Sequence, residues 1–245
     1  MSVRHALATL ALAPVLLLQG RHVRRTVALL PEPAGLREGA CGSGPLLRLL
    51  VAGDSAAAGV GVRTQESALT GRLVAGLEDS FHVKWKLHAF TGATTADLLG
   101  HLEALPAEDF DVVVTSLGVN DVTGRRSLAD WRCQQKQLIA LLVDRFHARH
   151  ILLSGLPPMH RFPALPQPLR WYIGSRAQDF DRELASLAHC HARCEFVKLG
   201  YAMMDTETMA ADGFHPGPAI YDLWAAEVVR RIVACAPQII SEQNP

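Results

Sequence analysis

A serine hydroxyl becomes a nucleophile when a base can remove its proton, and this chain of 245 residues offers groups for both roles. Ser55 lies within a run of small residues that would let a substrate approach closely. Among the 11 histidines, His147 follows Asp144 and His215 follows Asp212 at a spacing of three residues. That spacing lets a carboxylate orient the imidazole ring. These residue types therefore predict acyl chemistry, provided that the fold brings Ser55 to one of the two histidines.

Apolar segments alternate with helical ones along most of the chain. Five segments have the length and pattern of strands, at 46–52, 82–90, 111–116, 151–156 and 195–199. Helical segments are predicted at 67–77, 94–105, 128–148, 171–188 and 219–234. The alternation favours a flavodoxin-like three-layer α/β/α sandwich with a five-stranded parallel sheet. In such a fold, ligands bind outside the carboxyl ends of the strands.

This rule distinguishes the two histidines. Asp144 and His147 come just before the fourth strand, which places them at the amino edge of the sheet. Asp212 and His215 follow the last strand, at the carboxyl edge where Ser55 also lies. We therefore predict His215 as the general base and Asp212 as its orienting partner, and we interpret His147 as part of a solvated helix end. For Ser55, the alternative is a helix N-cap, which is common for serine after a strand.

Two further residues at the carboxyl edge could donate hydrogen bonds. Gly92 follows the second strand, and a glycine lets its backbone N–H approach a ligand closely. Asn120 follows the third strand and carries an amide that could donate to a developing oxyanion. Each residue is also typical of an ordinary turn.

The sequence resembles the SGNH (GDSL-like) hydrolases in four ordered blocks: Gly53-Asp54-Ser55, Gly92, Gly118-Val119-Asn120-Asp121 and Asp212-Gly213-Phe214-His215-Pro216. The resemblance spans residues 46–233 and implies that Ser55 is the nucleophile, with His215 as its base and Asp212 holding the imidazole. It also implies an oxyanion hole formed by the N–H groups of Ser55 and Gly92 and by the Asn120 amide. The resemblance requires neither a metal nor an organic cofactor. The chain has no G-x-S-x-G motif, which argues against the α/β-hydrolase class.

A long proline-rich loop follows the fourth predicted strand, at residues 154–171. Long loops in compact domains are often binding elements. We expect an acyl or alkyl pocket with these walls: Met159, Phe162, Leu165, Trp171 and Phe214. Packing of the loop on the domain is the alternative for each of them.

Composition narrows the class of ligand. Hydrophobic residues make up 49% of the chain, which excludes a disordered protein. The 24 Lys and Arg residues balance 24 Asp and Glu residues, so the net charge of +0 supplies no bulk field for a phosphate backbone. We expect a small, weakly charged or neutral ester as the substrate and no nucleic acid as a partner.

The five cysteines are odd in number and scattered, which does not indicate a disulfide framework. Cys190 and Cys194 have His189 and His191 as neighbours, so a soft metal is an alternative. On a helix, however, the two cysteines share a face to which the histidines do not belong. We interpret these cysteines as structural.

The first 44 residues differ from the rest, and we predict a hydrolase domain at 45–245 preceded by an apolar and basic segment with a linker at 35–44. The apolar run 6–18 is too short to span a bilayer, which takes about 20 residues. Three interpretations stay open: a helix on the cytoplasmic membrane face, with peripheral contact through residues 1–25; a helix packed on the domain; and an export signal. The first two favour a cytoplasmic or cytoplasmic-face protein, and the third a periplasmic or secreted one.

These observations predict a serine-dependent carboxylic-ester hydrolase that acts on small to medium acyl esters through an acyl-enzyme. A lysophospholipase, a thioesterase and a carbohydrate deacetylase are alternatives within the same fold. An acyltransferase and a non-catalytic binding domain are alternatives of another class.

Overall fold

The computed structural model describes residues 3–124, 126–199 and 207–241. The strands are β1 Glu38–Cys41, β2 Leu46–Gly53, β3 His82–Ala89, β4 Val112–Ser116, β5 His150–Ser154 and β6 Cys194–Val197. The helices are α1 Val3–Thr26, α2 Ser55–Ala58, α3 Leu69–Leu77, α4 Thr95–Ala104, α5 Val119–Thr123, α6 Leu128–Asp144, α7 Leu169–His189 and α8 Pro218–Ser241. Short 3-10 helices lie at Gln65–Ser67 and Met159–Arg161.

The strands form one sheet in the order β1-β3-β2-β4-β5-β6. The strands β2 to β6 are parallel and correspond to the five predicted strands, which confirms the predicted fold class. The chain passes from β3 back over β2 to β4, so the direction of winding reverses beside β2. Doubly wound sheets bind ligands at such a reversal, outside the carboxyl ends of the strands.

The sheet has one strand more than predicted, because the expected linker contributes β1. This strand pairs antiparallel with β3, with Glu38 opposite Lys86 and Cys41 opposite Val83. Three of its four residues are exposed, so the segment carries no apolar alternation that could mark it as a strand. A short edge strand of this kind also limits further pairing at the sheet edge. The prediction of five strands is therefore corrected to six.

Two separate cores lie on the two faces of the sheet. Along β2, Leu50 and Ala52 point into the core beneath α4, α6 and α7. The alternate residues Leu49 and Val51 point into the core beneath α3 and α8. Both faces of the central strands are therefore buried, as parallel strands require.

Helix α1 packs against the domain. Leu16 is buried, and Leu12 and Val23 contact the same core. The Gln19 side chain donates from Nε2 to the Gln167 carbonyl (2.6 Å) and accepts at Oε1 from the Leu169 N–H (3.0 Å). Within the described parts of the chain, we find no helix with the length and hydropathy needed to cross a bilayer.

Candidate active site

The structure brings Ser55, His215 and Asp212 together at the carboxyl edge of the sheet. Ser55 is the first residue of α2, directly after β2, and His215 comes shortly before α8. His215 Nε2 lies 2.9 Å from Ser55 Oγ, and His215 Nδ1 lies 2.5 Å from Asp212 Oδ2. The three groups thus form one continuous chain of hydrogen bonds in the order that a serine nucleophile requires.

Local backbone geometry holds the Asp212 carboxylate in place. Its Oδ1 accepts the N–H groups of Phe214 and His215, both at 3.0 Å, and Gly213 turns the chain with a φ of +62°. Burial alone would raise the pKa of Asp212, but the hydrogen bonds from the His215 ring and from the two N–H groups hold this pKa below its ordinary value. Asp212 is therefore charged at neutral pH and fixes the His215 ring orientation.

Asp54, and not Ser55, is the N-cap of α2. Its Oδ1 accepts the Ala56 N–H at 3.0 Å, and its own N–H donates to the Ser116 carbonyl at 3.0 Å. Burial raises the pKa of Asp54 to about 7, against the opposing hydrogen bond from Ala56 and the nearby positive charge that His215 can carry. Because Asp54 satisfies the helix end, the Ser55 hydroxyl is left to pair with His215.

The three expected oxyanion donors come from the segments that follow the adjacent strands β2, β3 and β4. Ser55 begins a helical turn, in which its N–H has no intrahelical partner. Gly92 has a φ of +84°, and the space where a side chain would stand is open. Asn120 lies in α5, and its Nδ2 donates to the Ala93 carbonyl at 2.9 Å. An amide nitrogen has two hydrogens, so this bond fixes Asn120 against the Gly92 loop and leaves the second hydrogen for a ligand.

A buried network behind these donors was not predicted from sequence. Asp121 Oδ2 accepts the Thr95 N–H at 3.1 Å and the Thr95 hydroxyl at 2.9 Å. Gln135 Nε2 donates to the same hydroxyl at 3.0 Å. All three side chains are buried, and burial raises the pKa of Asp121 despite its bonds from Thr95. The network connects α5, which carries Asn120, to the first residue of α4, three residues after Gly92.

Ser55 and His215 open into a cavity with mainly apolar walls. These walls include Leu117, Val119, Phe162, Leu199, Phe214 and Trp224. The Phe162 and Phe214 rings meet edge to face at 5.1 Å between centroids, and Phe214 meets the His215 ring at 5.4 Å. Two of the five predicted pocket residues, Phe162 and Phe214, therefore line this cavity.

The other three predicted pocket residues do not line the cavity. Met159 and Leu165 are buried in the core beneath the loop, where a 3-10 turn at Met159–Arg161 directs the loop inward. Trp171 lies in the first turn of α7 with 38% of its surface exposed. These three assignments are corrected, because apolar character alone did not distinguish a pocket wall from loop packing.

The second histidine lies at the opposite edge of the sheet. His147 Nδ1 lies 2.7 Å from Asp109 Oδ1, and 65% of the His147 side chain is exposed. Its partner is therefore Asp109 and not Asp144, the residue suggested by spacing. The solvated position agrees with the prediction from the sheet edge.

Among the described side chains, one group with metal-ligand chemistry comes together: His150, Glu195 and Cys235. It lies at the amino ends of β5 and β6, away from Ser55. Glu195 Oε2 pairs with His150 Nε2 at 3.1 Å, and Glu195 Oε1 accepts from Arg231 at 2.6 Å. These contacts already engage the carboxylate, and the Arg231 charge opposes a cation. The five cysteines are free thiols.

A doubly wound α/β sheet with Ser55, Asn120 and His215 at one edge defines an SGNH hydrolase. The chain belongs to the GDSL-like lipase/acylhydrolase family, which it matches over residues 51–223. A comparison with the curated proteins gave no match.

Solved structures show the same fold at low sequence identity. A member of the lipolytic protein G-D-S-L family from Veillonella parvula DSM 2008 is 13% identical with a TM-score of 0.61, over 76% of this chain and 98% of that one. TesA is 23% identical with a TM-score of 0.56, over 76% and 97%. A carbohydrate acetylesterase family member from Sinorhizobium meliloti is 18% identical with a TM-score of 0.56, over 77% and 98%.

Proposed function

We propose that this protein is a serine-dependent carboxylic-ester hydrolase that acts on small to medium acyl esters through an acyl-enzyme. The observation that carries the proposal is the hydrogen-bond chain from Ser55 through His215 to Asp212, at the wall of an apolar cavity. Membership of a family of lipases and acylhydrolases supports the same class of reaction.

In the first half-reaction, Ser55 Oγ attacks the ester carbonyl carbon while His215 Nε2 accepts the hydroxyl proton. The tetrahedral intermediate collapses, the ester C–O bond breaks, and His215 returns the proton to the leaving alcohol. In the second half-reaction, His215 removes a proton from water, which attacks the acyl-serine. The acid then leaves, and Ser55 regains its proton.

The carbonyl oxygen gains negative charge in both tetrahedral intermediates. The N–H groups of Ser55 and Gly92 and the free amide hydrogen of Asn120 are its donors in this proposal. Such donors stabilise charge that exists mainly in the transition state, so they raise kcat more than they improve binding.

The cavity walls favour an aliphatic acyl group. Leu117, Phe162 and Phe214 present carbon surface next to Ser55, which stabilises a methylene chain better than a sugar. Solved structures of this fold include an esterase and a carbohydrate acetylesterase, so the fold by itself leaves the alcohol undetermined.

The mechanism is tested with p-nitrophenyl esters from acetate to decanoate, on the native protein and on Ser55→Ala. We expect hydrolysis by the native protein and loss of nearly all activity in the variant. A p-nitrophenyl phosphonate should phosphonylate Ser55 Oγ with release of p-nitrophenol, so that the native protein alone gains the mass of the phosphonyl group. Equal rates in both proteins would eliminate the serine mechanism, and rapid acyl transfer to an added alcohol without hydrolysis would favour an acyltransferase.

The acyl site is tested with Phe162→Leu, which keeps an apolar side chain but removes the ring, and with it some volume, at the cavity wall. We expect the preferred chain length to shift toward longer acyl groups. The matched control is Met159→Leu, which alters a core residue of the same loop that does not reach the cavity. An identical profile for both variants would remove Phe162 from the acyl site.

A further inference from the structure

Helix α1 presents two different faces to its surroundings. Leu12, Leu16 and Val23 pack toward the domain. On the outward side, Leu10, Leu17 and Leu18 are 72%, 49% and 65% exposed. A helix that served only to cover the domain would have a polar outer face. The outward leucines therefore indicate a second apolar partner for α1.

The outward face changes from apolar to basic along the helix. Arg21, Arg24 and Arg25 follow the exposed leucines, and all three are exposed. No acidic residue precedes Glu32, so the first 31 residues carry four arginines and a formal charge of +4. The remaining chain then carries −4, since the total is +0. The partner of this face must therefore accept apolar side chains beside a strongly cationic stretch.

We propose that the outward face of α1 docks on the surface of an anionic lipid bilayer. In this arrangement the helix lies in the plane of the interface, its leucines enter the acyl boundary, and its arginines contact lipid phosphates. Trp171 lies two residues after Leu169, whose N–H donates to Gln19, and its side chain is partly exposed. In the docked arrangement this ring would enter the interfacial layer beside α1.

The anchoring of α1 links this surface to the cavity. Gln19 bonds Gln167 and Leu169, at the end of the loop that carries Phe162 into the cavity wall. In the docked arrangement, this single loop would therefore connect the membrane-bound helix to the cavity wall. Docking would make amphiphilic esters in the membrane the substrates, and this consequence rests on the proposed function. The docking itself does not rest on it.

Binding is measured by sedimentation of the full-length Ser55→Ala protein with vesicles, so that no lipid is hydrolysed. We expect binding to vesicles that contain phosphatidylglycerol, weak binding to phosphatidylcholine alone, and loss of binding as salt rises. Equal binding to both lipids would overturn the proposal, as would no binding to either. A dimer that forms through the same face without lipid would also overturn it.

Paired variants separate the helix from general effects of charge and hydropathy. R24Q/R25Q should weaken partitioning about 30-fold, since each basic residue at an anionic surface contributes about fivefold. K84Q/K136Q removes the same charge from exposed sites elsewhere and should bind more like the unaltered protein. L17S/L18S should also weaken binding, whereas L223S/V233S, at exposed positions on α8, should not. Equal losses in test and control pairs would refute the assignment to α1.

Turnover distinguishes failure of docking from failure of the proposed function. With Ser55 intact, R24Q/R25Q should slow hydrolysis of an ester embedded in anionic vesicles and leave hydrolysis of soluble p-nitrophenyl butyrate unchanged. Equal slowing of both would show that the substitutions damage the site and would overturn the role of α1. Vesicle binding without hydrolysis of any ester would refute the proposed function and leave docking intact.

Discussion

Replacing Asp54 by Asn should change how the stability of this protein depends on pH. The Asp54 side chain is buried beside Ser55, and burial raises its pKa from 3.8 to about 7. An Asn oxygen can still accept the Ala56 N–H, so the substitution keeps the cap of α2 while it removes the ionisable group.

The sign follows from the two states. Below about pH 4, the carboxyl is neutral in both the folded and the unfolded chain, so it does not lower the free energy of unfolding. Between about pH 4 and 7 the unfolded chain releases the proton while the folded protein keeps it, and the free energy of unfolding falls as pH rises. The shift of roughly three pKa units corresponds to at most about 4 kcal/mol. Asp54→Asn should therefore gain up to about 4 kcal/mol relative to the native protein between pH 4 and 8.

The assay is urea unfolding of both proteins at several values between pH 4 and 8. Asp97→Asn is the control, because hydrogen bonds from Thr94 hold the pKa of Asp97 below its ordinary value and it is already charged in both states above about pH 5. The stability difference for Asp97→Asn should stay constant from pH 5 to 8. A constant difference for Asp54→Asn across the same range would refute the reasoning.

Four further substitutions at three positions test the oxyanion donors, the buried network behind them and the edge assignment. Asn120→Ala should lower kcat by about 10²–10³ with a smaller effect on KM, in steady-state kinetics on a soluble ester; an unchanged kcat would remove it from the oxyanion hole. Asp121→Ala should lower both stability and kcat because it leaves the two Thr95 donors buried without an acceptor, at about 1–3 kcal/mol. Asp121→Asn should restore most of both, and failure to do so would indicate that the Asp121 charge matters. His147→Ala should keep near-native activity, since the ring is solvated and pairs with Asp109; a large loss would contradict the edge argument.

The sheet could be predicted because its signals are local. Parallel strands buried on both faces read as short apolar runs, and Leu49 to Ala52 in β2 illustrate this, since each residue serves one of the two cores. The strand β1 gave no such signal, because Glu38, Gly39 and Ala40 are exposed and the strand is defined by its pairing with β3. An edge strand of that kind becomes visible only once its partner strand is in place.

The same distinction separates the parts of the site that were predicted from those that were not. Ser55 and Asn120 lie just after β2 and β4, and His215 lies in the loop just before α8, so the topology brings them to one edge. Thr95 and Gln135 lie in helices and act through contacts between distant segments, which no local pattern marks. The loop residue Met159 failed as a pocket wall for a related reason, since the direction of a loop side chain depends on what packs beneath it.

The zero net charge has a different meaning once the charges are assigned to parts of the chain. The segment before Glu32 carries +4 and the rest −4, so an anionic bilayer attracts one end of the molecule and repels the other. At distances beyond about 10 Å salt screens both effects, so the protein gains little long-range attraction. Closer in, the separation of charge favours the orientation with α1 toward the lipid, before any leucine has entered it. In the proposed docking, moving the arginines from α1 to the domain would keep the total charge but remove the preference for this orientation, so we expect the location of the charge, and not its sum, to determine binding.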